Sequence, residues 1–136
     1  MSESLLSGHC FCSAVRYRCG DLLYPPTLCH CESCRRLTGA HAVAWITVPA
    51  NSLVYVQGTP AEFRSSPEVL RSFCGHCGTP LTYYNQQRAD EIDITLMTLD
   101  SPEHIVPADH IWMADALPWD RPHDGLPQYQ KTRELP

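Results

Sequence analysis

The sequence predicts a mainly β domain with one or two short helices, and three observations carry that reading. Strand-like segments dominate and are short, turn-forming residues recur at close intervals between them, and one stretch alone reads convincingly as a helix. At 136 residues with 43% hydrophobic composition, the chain has the length of one ordinary domain able to bury its own core.

In order along the chain, Ala14-Val15-Arg16-Tyr17-Arg18-Cys19 alternates apolar and polar residues, as a half-buried strand does. The helix is expected over 32–38, stopped by Gly39, the residue that best takes a left-handed helix end. Val43-Ala44-Trp45-Ile46-Thr47-Val48 is a nearly continuous apolar run rich in β-branched residues and reads as a core strand. Further strands are expected over 52–57, 61–65, 69–73, 80–84, 91–95 and 110–113, separated by turns such as Gly58-Thr59-Pro60 and Ser66-Pro67. Residues 96–99 suit a short helical turn. Several of the twelve prolines crowd into 118–136 and predict an extended tail from about residue 118, with Trp119 and Tyr129 available to pin it. One domain over 1–136 is the expected organisation.

Composition excludes several functions. A formal charge of -5 opposes general nucleic-acid binding, which needs clustered Lys and Arg. No apolar stretch is long enough to span a bilayer, and Met1-Ser2-Glu3-Ser4 lacks the positive start and apolar run of a secretory leader, so a cytoplasmic location is expected.

Seven of the eight cysteines fall into three clusters, Cys10-x-Cys12, Cys29-His30-Cys31-x-x-Cys34 and Cys74-x-x-Cys77. In a reducing compartment such spacings bind metal more often than they form disulfides. Read on an extended strand, Cys10 and Cys12 point to one face about 6.6 Å apart. Their sulfurs must approach to roughly 3.8 Å to share a zinc with bonds near 2.3 Å. Cys74-Gly75-His76-Cys77-Gly78 has the look of a zinc knuckle, two sulfurs on one tight turn with His76 facing solvent. Those four thiolates make a closed structural site that ties distant segments together.

Cys29, Cys31 and Cys34 supply three corners of a second tetrahedron. Three protein ligands leave a position for water or substrate, which is the arrangement of catalytic zinc. A second structural zinc, its fourth ligand a distant His, Asp or Cys19, is the competing reading. His30 projects away from its cysteine neighbours if the segment is extended. Cys19 reads as a buried apolar thiol. The helix start and Arg35 favour negative charge at the trio, and the Arg35-Arg36 pair can hold a carboxylate. His41 and His110 read as packing or surface histidines.

Together, Gly8-x-Cys10-x-Cys12-x-Ala14-Val15-Arg16-Tyr17, Cys29-His30-Cys31-x-x-Cys34-Arg35-Arg36, Phe63-Arg64-Ser65-Ser66-Pro67, Phe73-Cys74-Gly75-x-Cys77-Gly78-Thr79-Pro80-Leu81 and His110-Ile111-Trp112 closely resemble the glutathione-dependent formaldehyde-activating enzyme family, which includes centromere protein V. The resemblance runs from about Ser7 to Tyr129. It implies coiled antiparallel sheets and two zinc ions, one structural on Cys10, Cys12, Cys74 and Cys77 and one catalytic on Cys29, Cys31 and Cys34. It also implies a carbon-sulfur lyase activity joining formaldehyde to a small thiol, glutathione, as S-hydroxymethylglutathione. Arg35 is the candidate to hold a glutathione carboxylate. Ser13 stands where the family usually has glycine. The alternative function is a non-enzymatic, zinc-stabilised binding module.

Overall fold

The protein is seen in a computed structural model that describes residues 5–133. Residues 1–4, read above for a leader, and residues 134–136 of the Pro-rich tail lie outside the described part. Two sheets account for the strands. β1 (Leu6–His9), β2 (Arg16–Cys19) and a fifth strand, β5 (Val54–Gln57), form a small antiparallel sheet in the order β1-β2-β5. The larger sheet is built from β3 (Thr27–Cys29), β4 (Val43–Pro49), β6 (Ala61–Ser66), β7 (Val69–Phe73), β8 (Pro80–Asn85), β9 (Glu91–Thr95) and β10 (Asp109–Ile111), in the order β10-β3-β4-β9-β8-β7-β6. Helix α1 (Glu32–Thr38) connects β3 to β4.

The mainly β fold thus matches expectation, and so do the bounds of α1, where Gly39 takes φ 70° and its N–H caps the Arg35 carbonyl. One pair departs from the antiparallel scheme: β10 runs parallel to β3. A parallel neighbour needs a long connection rather than a hairpin, and the chain between β3 and β10 runs through α1 and every strand from β4 to β9. The strand expected over 110–113 is shortened because Trp112 adopts a left-handed φ of 57° and turns the chain. The strand expected from residue 52 begins at Val54, after the 3-10 turn Ala50–Ser52. β1 and β3 were not anticipated; each is too short to display a convincing period.

The main core collects Tyr17 and Cys19 from β2, Ile46 and Val48 from β4, Leu81 from β8 and Ile94 from β9. Ile46 and Ile94 are paired in register and fully buried. Cys10 and Cys74 belong to this core. A second, smaller cluster joins Cys29, Cys34, Val43 and Trp45, flanked by Tyr83, Ile111 and Trp112. Each cysteine set is therefore rooted in its own apolar cluster.

The tail is secured by backbone hydrogen bonds and the Arg133 side chain rather than by Trp119, which is 71% exposed. The Tyr129 N–H donates to the His110 carbonyl at 2.8 Å, the His110 N–H donates to the Pro127 carbonyl at 2.9 Å, and Arg133 Nε donates to Asp109 Oδ2 at 2.6 Å. No helix among the described residues is long and apolar enough to cross a membrane.

Candidate metal centres and the cleft beside them

Cys10 and Cys12 lie in a turn just past β1, not on the extended strand expected for them. The Ser13 N–H donates to the Cys10 carbonyl at 3.0 Å, and Ser13 takes φ 66°, folding the two thiols toward one point. Their sulfurs are 3.7 Å apart, and Cys12 Sγ is 3.8 Å from Cys74 Sγ, the separation a tetrahedral zinc requires. All four ligand atoms of Cys10, Cys12, Cys74 and Cys77 lie within 4.8 Å of one another. Backbone N–H groups back these sulfurs: Val15 toward Cys10, and His76 and Cys77 toward Cys74. Thr79 completes the knuckle. Its Oγ1 accepts from the Phe11 N–H at 3.0 Å and lies 3.1 Å from Cys77 Sγ, holding that thiol down to about 5. The donor set fits a metal ion such as zinc. His76 is exposed, as expected.

The second set is local. Cys29 ends β3, Cys31 caps α1 and Cys34 lies in its first turns. Their sulfurs also gather within 4.8 Å, and no other His, Cys, Asp or Glu among the described residues joins that group. Cys19 lies in the main core instead, where burial pushes its thiol up to about 11. Cys31 Sγ accepts from the Cys34 N–H at 3.3 Å. Within the trio, hydrogen bonds from Cys29 and then Cys34 push Cys31 down to about 2, while Cys29, the donor in a buried position, is pushed up. One thiol thus carries the negative charge first. This set too can hold a metal ion.

The cation beside the trio is Arg71 of β7. Its Nη1 and Nη2 approach Cys34 Sγ at 3.7 and 3.8 Å, its Nε donates to Ser65 Oγ at 3.1 Å, and its Cζ stands 4.9 Å from the Tyr83 ring centroid. Sequence reasoning missed it. The available signal was an arginine at the inward phase of a strand, in step with buried Val69. Arg35, expected to face the thiolates or a substrate, donates instead to the carbonyls of His30 and Asp115, each at 3.3 Å. Arg36 pairs with Glu32 at 2.7 Å on the exposed helix face.

Behind the trio, His30 points away from its cysteine neighbours, as expected, and is 1% exposed. His30 Nε2 lies 2.9 Å from His110 Nδ1, and His110 Nε2 lies 2.7 Å from Asp124 Oδ2. The Asp124 carboxylate only accepts, so His110 donates from Nε2; with a neutral His110 ring, Nδ1 is then the acceptor for His30 Nε2. His30 Nδ1 is left facing Asp120 Oδ2 at 3.2 Å without an aligned hydrogen bond. Burial favours the neutral form of His30. Asp120 in turn accepts from His41 Nδ1 at 2.7 Å. His110 is therefore a buried link in a network, more than a packing or surface histidine, while His41 is exposed, as a surface histidine is, and closes the network from outside.

A cleft of about 390 Å3 opens on the other side of Arg71. Leu37 and Thr38 of α1, Trp45 of β4, Phe63 of β6, Arg71 of β7 and Thr82 of β8 contribute to its walls. Trp45 and Arg71 also touch the trio, so the cleft and the sulfurs share two side chains.

Residues 5–115 match the family model described as glutathione-dependent formaldehyde-activating enzyme. A crystal structure of a Rhodobacter sphaeroides protein, a structural-genomics target, has a similar fold. It is 20% identical, with a TM-score of 0.60, and the match covers 90% of this chain and 98% of that one. No curated protein matches the sequence significantly.

Proposed function

The chain belongs to the glutathione-dependent formaldehyde-activating enzyme family, and from that premise we propose that it is a zinc-dependent carbon-sulfur lyase whose thiol and aldehyde are glutathione and formaldehyde. Two zinc ions complete the reading, a structural one on Cys10, Cys12, Cys74 and Cys77 and a catalytic one on Cys29, Cys31 and Cys34. The observation that carries it is the unequal donor count of two otherwise similar sulfur clusters, four against three. A zinc bound by three protein ligands lowers the pKa of an added thiol and polarises a carbonyl oxygen.

The chain's own residues supply the rest. Arg71 sets a fixed positive charge against Cys34 and offsets the charge that accumulates on clustered thiolates. Arg35 acts as a positioning residue, since its bonds to two carbonyls hold the loop from which Cys29 and Cys31 project. His30, His110 and Asp124 brace the same loop from behind. In the forward direction the thiol loses its proton, its sulfur forms a bond to the aldehyde carbon, and the electron pair of the carbonyl π bond passes to oxygen, which takes up a proton. The reverse breaks that carbon-sulfur bond. We place the reaction in the cytoplasm, where the clustered thiols remain reduced, and treat 1–136 as one functional domain.

The test mixes zinc-loaded protein with glutathione and formaldehyde and follows S-hydroxymethylglutathione by NMR. Formation faster than the protein-free control, and lost in Cys31→Ser, is the expected result. A rate equal to the control removes this substrate pair.

A further inference from the structure

We propose that β6 is an interface strand: it pairs antiparallel with β6 of a second copy of this chain, about a two-fold axis at Phe63, joining the larger sheets of the two copies edge to edge. The inference stands apart from the lyase reading and does not depend on it. β6 ends the larger sheet and pairs with β7 alone. Among the described residues, no other segment exchanges backbone hydrogen bonds with 61–66. Its outer row of N–H and C=O groups is a template for a further strand. Glu62, Phe63 and Arg64 are exposed in succession, so the strand is open on both faces, with Phe63 at 52%. Other sheet edges are met by the chain itself: β10 by a bridge from His110 to Gln128, and β1 by one from Gly8 to Leu99. β5 also pairs on one side only, but Val54, Tyr55, Val56 and Gln57 carry no charge to fix a register.

The occupant follows from the order of the charges. In an antiparallel pair centred on Phe63, Glu62 of each copy lies opposite Arg64 of the other, and the two Phe63 rings lie side by side. The opposite-charge pair is made twice and the aromatic pair once, and each is favourable. Moving the axis to Glu62 or to Arg64 sets like charges opposite each other, so one symmetric register is selected. Neither charge is engaged in an ion pair among the described residues, and Arg64 Nη1 donates to the Pro67 carbonyl at 3.2 Å. Pro60 before the strand and the register shift between Arg64 and Ser66 confine the ladder to 61–65. So short a ladder makes a reversible dimer rather than an obligate one. The same strand borders the cleft: Phe63 stands in its wall, and Ser65 Oγ accepts from Arg71 Nε. The partner's Phe63 therefore extends that wall from outside.

The experiment follows self-association of the zinc-loaded protein by sedimentation velocity over a range of concentrations, with a melting curve for every variant. Wild type is expected to dimerise reversibly, and alternate backbone amides within 61–65 are expected to gain hydrogen-exchange protection as concentration rises. Glu62→Arg and Arg64→Glu are each expected to weaken association about tenfold or more, since each sets like charges opposite one another. An equimolar mixture of those two variants is expected to recover the wild-type dimer, because one then presents two cations to the two anions of the other. Phe63→Lys, at an exposed position, places a cation on the axis opposite its own copy and is expected to break the dimer as well. Wild type that stays monomeric at its highest soluble concentration, or a dimer that none of the three substitutions weakens, overturns the assignment. So does a mixture that stays monomeric while both of its variants keep the wild-type melting curve.

Discussion

Ser13 and Asp93 each hold a conformation or charge state that the folded protein imposes. Ser13 takes φ 66° in the turn that aims Cys10 and Cys12, a region where a side chain costs about 1 kcal/mol and glycine nothing comparable. Ser13→Gly is expected to stabilise the protein by up to about 1 kcal/mol, a rise of a few degrees in Tm measured by thermal melting. Asp93 accepts from Thr47 Oγ1 at 2.7 Å, and burial pushes its carboxyl from 3.8 up to about 6. Below about pH 4 the folded and unfolded chains both hold this proton. Between about pH 4 and 6 only the folded chain keeps it, so this group's contribution to stability falls as pH rises through that window and stays low above it. Denaturant unfolding of Asp93→Asn and wild type should therefore diverge from pH 4 to 6, the variant gaining by about 3 kcal/mol. A pH-independent difference would remove Asp93 as the cause.

At the scale of elements, the two sulfur sets differ in what they connect. The four-sulfur set ties the turn after β1 to the knuckle after β7, 62 residues apart between Cys12 and Cys74. The trio connects only the end of β3 to α1. Cys77→Ser is therefore expected to lower Tm by on the order of 10 °C or more, or to yield insoluble protein, because it opens a cross-link between distant segments. Cys34→Ser is expected to abolish activity and weaken one zinc while the melting transition stays cooperative. Paired melting curves and zinc assays on both variants decide, and equal collapse would make both sites structural. The same contrast explains what could be read from the chain. Cysteine spacing and the Gly39 stop are local signals, so the metal sets and α1 were legible. Arg71, the His30–His110–Asp124 network and the parallel pairing of β10 are not, because each joins residues tens of positions apart with no fixed spacing. Even locally, Cys10-x-Cys12 misled: a left-handed Ser13 brings two sulfurs together as well as an extended strand does.

For the whole molecule, the C-terminal segment completes the protein around the trio. Asp120 and Asp124 reach His30 and His110, residues 127–131 exchange backbone hydrogen bonds with His110, Trp112 and Met113, and Arg133 clasps Asp109. A chain ended after Pro118 is expected to keep the metal of the four-sulfur set and lose most of that held by the trio. Zinc per chain should fall from about two toward one, with one ion leaving at lower chelator concentration than in wild type. Retention of both ions at wild-type affinity would show that the trio needs no such support.

That arrangement sets an order in time. A ribosome releases residues 29–34 long before residue 133, and the intervening stretch takes roughly 5 to 20 s at ordinary elongation rates. Until His110 and Asp124 are made, a nascent chain presents three thiols on a six-residue segment without the histidine brace. The sulfurs are made early and enclosed late, so during synthesis they meet cellular metals and oxidants directly, and which of these reaches them first is settled before the protein has finished folding.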